Sequence, residues 1–358
     1  MKYILKENEK EARERLRAFW AGDSLGRPAL YVTATKPNSS DYVWDEDEKD
    51  RKKLDFLPEW HIRYNEWQLD NTVFLAEAMP SASIIWGANI SFVAALCGGD
   101  YDYDRNGQAW VKPFPNIWDN EIPEFDVEHH IVRTLEKCYY RLAKVIGNKG
   151  YINPPVMLDA ITTLSLLRTP DVLCLDMIEN SDMVKKWSSA LTDIYIHAYE
   201  HFYQLLKGLG YGETSSWIAS MAEGRFETVQ CDFAVMISRD MFKEFVMPDL
   251  CKISEYLDYS LYHLDGTSQM RFLDLIGNLP KLNGIQWNPE PGAGSPVLWI
   301  DAFKEIRKYN LSLYIYCNKD EAVRITKELG PDGLMLVLPH FDTVAEAEQA
   351  IRDIERAC

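Results

Sequence analysis

Residues 257–270 read LDYSLYHLDGTSQM, and this run holds two groups able to do chemistry, His263 and Asp265, set two apart. On an extended strand, residues i and i+2 point to the same side, so an imidazole and a carboxylate would stand over one surface. Such a pair can move a proton, with Asp265 accepting and His263 positioning or donating. Imidazole nitrogen and carboxylate oxygen are also both ligands of zinc-like ions. The structural alternative is a pair that only hydrogen-bonds itself and the backbone around a pocket rim. Glu223 and Asp232 are further carboxylates for acid/base work, and Trp86, Trp217, Gln286, Trp287 and Cys317 are candidate pocket residues. Cys317 also reads as a small buried hydrophobe, and the tryptophans as core.

These residues matter together only if the elements carrying them converge. Residues 5–20 have the spacing of an amphipathic helix, and RPALYVTA after a Gly-Arg-Pro turn reads as a strand. From about residue 150, apolar strands are predicted at YINPPVML, GETSSWIA, CDFAVMI, SLYHLD, NGIQWN, LSLYIYC and GLMLVLP. Helices are predicted at 128–147, 181–208, 239–257, 300–309, 319–329 and 343–357. Strands alternating with helices imply parallel pairing, and short strands buried on both faces suit a barrel or a doubly wound sheet. The absence of GxGxxG and GxxxxGKS loops removes the usual doubly wound nucleotide binders. The favoured architecture is a single α/β domain over residues 1–358, a (β/α)8 TIM-type barrel with a helical extension at 1–25. In that fold, polar residues at strand carboxyl ends line the active face.

Composition narrows the function classes. A chain of 358 residues with 47% hydrophobic and 12% aromatic content can bury a large core. The first twenty residues lack the basic, apolar, small-residue order of a signal peptide, and no run approaches the ~18 apolar residues of a membrane span, so a soluble cytoplasmic protein is expected. Seven scattered cysteines suggest reduced thiols. A net charge of −17 disfavours nucleic acid and anionic membranes as partners, and leaves a small-molecule substrate as the expectation.

Three segments carry a family resemblance. QCDFAVMISRDMFKEFVMPDLCKISEYL followed by a strand ending YHLDG resembles the uroporphyrinogen decarboxylase superfamily, which includes the cobalamin-dependent methyltransferases that serve coenzyme M. AEAMPSASIIWGANISFVAALCGGDYDYDRNGQAWVKPF at 76–114 and NGIQWNPEPGAGSP at 283–296 are similar to an uncharacterised, corrinoid-methyltransferase-like branch of it. The resemblance covers roughly residues 10 to 355 and implies a barrel whose pocket opens at the strand carboxyl ends. The coenzyme M enzymes hold zinc with a His-x-Cys pair and a cysteine at the last strand; here those positions read His263-x-Asp265 and His340. The resemblance therefore implies a zinc or other divalent site at His263, Asp265 and His340, with methyl transfer or decarboxylation of a small organic molecule, or binding alone. The chain has no corrinoid-binding Asp-x-His-x-x-Gly, so any corrinoid would arrive on a partner protein.

True decarboxylases of that superfamily carry an Arg-Gln-Ala-Gly-Arg loop for the substrate carboxylates, whereas this chain has RPALYVTATKPNSSDYVW with only Arg27 nearby. A tetrapyrrole with eight carboxylates needs bidentate cationic partners. Titration with uroporphyrin, followed by fluorescence, is expected to show no tight binding; saturable binding would overturn this exclusion.

Overall fold

The computed structural model describes residues 2–43, 50–55, 57–84, 92–106, 109–114 and 116–358. Among the described residues eleven strands follow one another: β1 (Ala29–Thr35), β2 (Thr72–Ala76), β3 (Ser81–Ala82), β4 (Tyr101–Tyr103), β5 (Ala109–Val111), β6 (Tyr151–Ile152), β7 (Phe226–Val229), β8 (Tyr259–Asp265), β9 (Gly284–Asn288), β10 (Ser312–Tyr316) and β11 (Leu334–Val337). The central sheet has the order β2-β1-β11-β10-β9-β8-β7. Every pairing in it is parallel except β1 with β2. Helices cross over between successive strands, as Met247–Tyr256 does before β8 and Lys319–Leu329 before β11. The fold is thus mixed α/β around a mostly parallel sheet.

The first and last parallel strands, β1 and β11, lie side by side, but among the described residues the ladder does not close into eight staves. Two predicted strands shrank where the sequence removes backbone donors. YINPPVML pairs only through Tyr151 and Ile152, because Pro154 and Pro155 follow Asn153 and cannot donate to a neighbour. The Asn153 side chain instead accepts from the Ser215 backbone N–H at 2.8 Å, a side-chain bridge where a ladder bond would stand. GETSSWIA contributes one isolated bridge, Thr214 to Ala222. The predicted strand CDFAVMI is a 3-10 turn at Asp232–Met236, and the strand itself is FETV immediately upstream, which reads poorly because Glu227 interrupts it.

Alternation along the strands sorts the two faces of the sheet. Leu264, Ile285, Trp287, Leu313 and Ile315 are buried toward the helices, whereas His263, Gln286 and Tyr314 share one register row on the other face. Helix Ser181–Gly208 covers the outer face of β7, where the Tyr199 hydroxyl donates to the Phe226 carbonyl at 2.8 Å. Glu227 lies here too, fully buried, its carboxylate accepting from the Thr228 backbone N–H at 2.8 Å and standing beside the Ser216 hydroxyl.

The amino-terminal extension is an ionic clamp. In helix Glu9–Trp20, Arg13 reaches Glu9 at 2.8 Å, Glu213 at 2.7 Å and Glu223 at 3.0 Å, while Arg17 also holds Glu223 at 2.8 Å. Tyr3 donates to Glu213 at 2.8 Å, and the Trp20 indole N–H donates to the Met221 carbonyl at 2.9 Å. Because the Arg13 side chain is only 14% exposed, its loss strands carboxylates in a poorly solvated place. Arg13→Ala is expected to cost about 3 kcal/mol in urea unfolding, with the circular dichroism spectrum of the folded state retained; a change below ~0.5 kcal/mol would show that the clamp contributes nothing.

Burial pushes the Glu227 carboxyl up from its ordinary 4.5 to about 8. Between those two values the folded chain keeps a proton that the unfolded chain has released, so this group's contribution to stability falls as pH rises through the interval. Glu227→Gln, neutral throughout, should flatten that slope and exceed the wild type by more than about 1 kcal/mol at pH 9 relative to pH 5. Parallel stability curves for the two proteins would contradict it.

Candidate functional site

The site is built where β7, β8 and β9 end. His263 pairs in register with Gln286, and Asp265 with Asn288. The buried His263 ring donates from Nδ1 to Gln286 Oε1. Gln286 is itself fully buried, and its amide N–H2 donates to the Trp287 carbonyl at 3.3 Å, which turns Oε1 toward the ring. With the proton on Nδ1, Nε2 carries a lone pair. That lone pair lies 3.8 Å from Asp265 Oδ1, which also accepts from Asn288 Nδ2 at 2.7 Å. Two acceptors thus face each other with no donor between them.

Asp232 completes the group. It follows β7 on the 3-10 turn, whose backbone is fixed by the Asp232 N–H donating to Thr162 Oγ1 at 3.0 Å. Its Oδ2 accepts from Gln230 at 3.4 Å, while Oδ1 is buried without a partner. One ligand atom each from Asp232, His263 and Asp265 lies within 4.8 Å of the others. Donors on a tetrahedral zinc ion with ~2.1 Å bonds stand ~3.4 Å apart, so these side chains would draw in by up to about 1.4 Å to hold a divalent ion. Burial, and then the charges of Asp159 and Asp265, push the Asp232 carboxyl up to about 7. Burial likewise pulls the His263 imidazole below its ordinary value, with Gln286 and Asp265 opposing. Low solvation therefore disfavours charge on both groups; an entering cation would favour the Asp232 carboxylate and hold His263 neutral.

The predicted residues divide sharply. His263, Asp265, Asp232 and Gln286 come together. Trp217 joins them, its ring perpendicular to His263 with centroids 4.7 Å apart. Glu223 does not, because Arg13 and Arg17 hold it in the clamp. His340 stands outside the group: Thr33 Oγ1 meets one of its ring nitrogens at 2.9 Å and Thr35 Oγ1 the other at 3.0 Å. Among the described residues, the carboxylate that groups with His263 and Asp265 is Asp232. Trp287 alternates to the helical face and packs on Trp299 and Phe303, so it is no pocket wall. Cys317 is buried at the end of β10, and burial raises its thiol well above the ordinary range, which disfavours a thiolate. Trp86 lies outside the described residues. Arg27, the one arginine near the expected anion loop, is committed to Glu77 through contacts of 2.6 and 2.9 Å.

Two supporting residues escaped the sequence reading. Asp159 caps helix Ala160–Arg168, accepting from the Thr162 N–H at 2.9 Å, and burial pushes its carboxyl up to about 6. The signal available was an Asp directly before an apolar helical run. Gln269 donates to the carbonyls of Asp265 at 2.9 Å and Cys231 at 3.3 Å and accepts from the Tyr262 hydroxyl at 2.8 Å, tying the ends of β7 and β8. Nothing in the sequence marks it, since two of its three partners are backbone carbonyls.

No family model and no curated protein matches the chain. Among solved structures, a methyltransferase from Methanosarcina mazei is similar with a TM-score of 0.61, covering 97% of this chain and 98% of that one at 14% identity. At that identity the likeness is one of fold, extending over nearly the whole of both chains.

Proposed function

We propose that the chain is a methyltransferase-like enzyme acting on a small organic substrate at a divalent metal centre formed by Asp232, His263 and Asp265. The observation that carries this reading is the Gln286-oriented His263, whose free Nε2 faces Asp265 within a three-ligand group at the strand carboxyl ends. Three protein ligands with an open position are the arrangement of a catalytic metal site, and a bound metal there would polarise a substrate oxygen or lower a thiol pKa. The fold shared with a methyltransferase and the segments resembling the uroporphyrinogen decarboxylase superfamily support the reaction class. On this reading the sheet is a barrel of one domain, with β3, β6 and the Thr214 bridge as its remaining staves, and any corrinoid is brought by a separate protein. The residues' own work is to orient and to exclude water: Gln286 fixes the imidazole tautomer, Asn288 fixes Asp265, and Trp217 covers His263.

A second reading rests on Asp232. A carboxyl raised to about 7 is poised for proton transfer without metal, as an acid/base lyase requires.

Protein purified without chelator is expected to hold close to one divalent ion per chain by elemental analysis. His263→Ala and Asp232→Asn should lose it while keeping the far-ultraviolet circular dichroism spectrum, and His340→Ala should keep it. If no stoichiometric metal is found and added zinc leaves the melting temperature unchanged, the metal reading fails and the acid/base one stands.

A further inference from the structure

The metal reading uses two carboxylates, and the mouth contains a third. Asp159 is 5% exposed, with the Cys231 thiol beside its carboxyl, and among the described residues its Oδ2 accepts no hydrogen bond; Gln230, 7% exposed, leaves Oε1 without one there while its amide N–H2 donates to Asp232. Two acceptor oxygens, each on a side chain more than nine-tenths buried, thus stand unsatisfied next to Asp232, and leaving such groups unpaired costs free energy that a donor would recover. None of the described lysine or arginine side chains hydrogen-bonds or ion-pairs with Asp159, Asp232, His263 or Asp265. Arg271, the basic residue nearest in sequence to Asp265, donates instead to the carbonyls of Ala234, Val235 and Ile237. A divalent ion balances two carboxylates and leaves the third without a counter-charge.

Two exposed aromatic rings stand at the same carboxyl end of the sheet. Trp217 is 41% exposed beside His263, and Tyr316, 44% exposed, stands at the end of β10 with its ring centroid 5.5 Å from that of Tyr314. Tyr314 shares the register row of Gln286 and His263, which places Tyr316 one step further toward the mouth. Aromatic faces attract cations and accept hydrocarbon.

We propose that the substrate bound at this mouth is a small protonated organic amine. Its N–H groups would donate to the unpartnered oxygens of Asp159 and Gln230, and its hydrocarbon part would lie on Trp217 and Tyr316. The inference deepens the proposed function by naming the substrate class, and rests on it for the identity of the reacting site. An anion is excluded by the same balance of charge that admits the amine.

Three probes sharing one hydrocarbon ring test it: cyclohexylamine, cyclohexanol and cyclohexanecarboxylate, titrated calorimetrically into the metal-analysed protein at pH 7.5 and fixed salt. The amine should bind at least about tenfold more tightly than the alcohol, and the carboxylate should not bind. Trp217→Ala and Asp159→Asn should each erase most of that preference. Asp159 also caps a helix, so Trp217→Ala, a change at an exposed ring, keeps the test decisive if Asp159→Asn unfolds. Equal binding of amine and alcohol, tighter binding of the carboxylate, or an amine preference that survives Trp217→Ala overturns the inference. Metal content read in the same samples separates the two readings: a metal-bearing protein without amine preference refutes only the substrate class, and an amine preference in metal-free protein refutes only the metal.

Discussion

A single side-chain hydrogen bond between neighbouring strands, from the His263 ring to Gln286, decides what the mouth of this protein is able to do. An imidazole is useful as ligand or base only if one nitrogen is left with its lone pair and aimed at the site. Gln286 achieves this because its own amide is pinned to the Trp287 carbonyl, so its oxygen has one place to go. The pairing follows from parallel register, which sets His263 beside Gln286 and Asp265 beside Asn288. Shifting β9 by one residue would exchange Gln286 for Ile285 or Trp287 and leave the ring without its acceptor. The catalytic possibilities are therefore inherited from backbone geometry rather than from the histidine alone.

The distribution of charge shows where the chain invests in stability and where it does not. The amino-terminal clamp saturates its carboxylates with Arg13 and Arg17, and Glu77 is held by both Arg27 and the Leu30 N–H. At the strand carboxyl ends, Asp159, Asp232 and Asp265 receive neutral donors from Thr162, Gln230 and Asn288, and among the described residues no lysine or arginine reaches them. Neutral donors orient a carboxylate without cancelling its charge. A buried acid pocket of this kind is costly to the empty protein and repaid only when a cation occupies it, which is the pattern expected of a site rather than of a scaffold.

Much of this was legible in the sequence because it depends on period and punctuation. Helices 181–208 and 319–329 lie where they are predicted, the latter closed by a capping box at Asn318 and Glu321, and YHLDG is the end of a strand with its polar pair turned to one side. What could not be read depends on contacts distant in sequence. Glu223 has the same chemistry as Asp232, and only the docking of residues 13 and 17 distinguishes a clamp residue from a site residue. Trp287 is adjacent to Gln286 and so was grouped with it, although alternation sends adjacent strand residues to opposite faces.

The replacement of His340 by Asp232 as third member of the group follows from the same logic of neighbours. β11 lies three strands from β8, across β10 and β9, whereas β7 is hydrogen-bonded to β8 directly. A ligand from β11 has to cross the mouth, and His340 instead finds both its partners on the adjoining strand β1, in Thr33 and Thr35. Asp232 needs no such reach, because the 3-10 turn after β7 folds it back over the ends of β7 and β8, where Thr162 and Gln269 hold the backbone. The group is therefore assembled at the ends of three consecutive strands, β7 to β9.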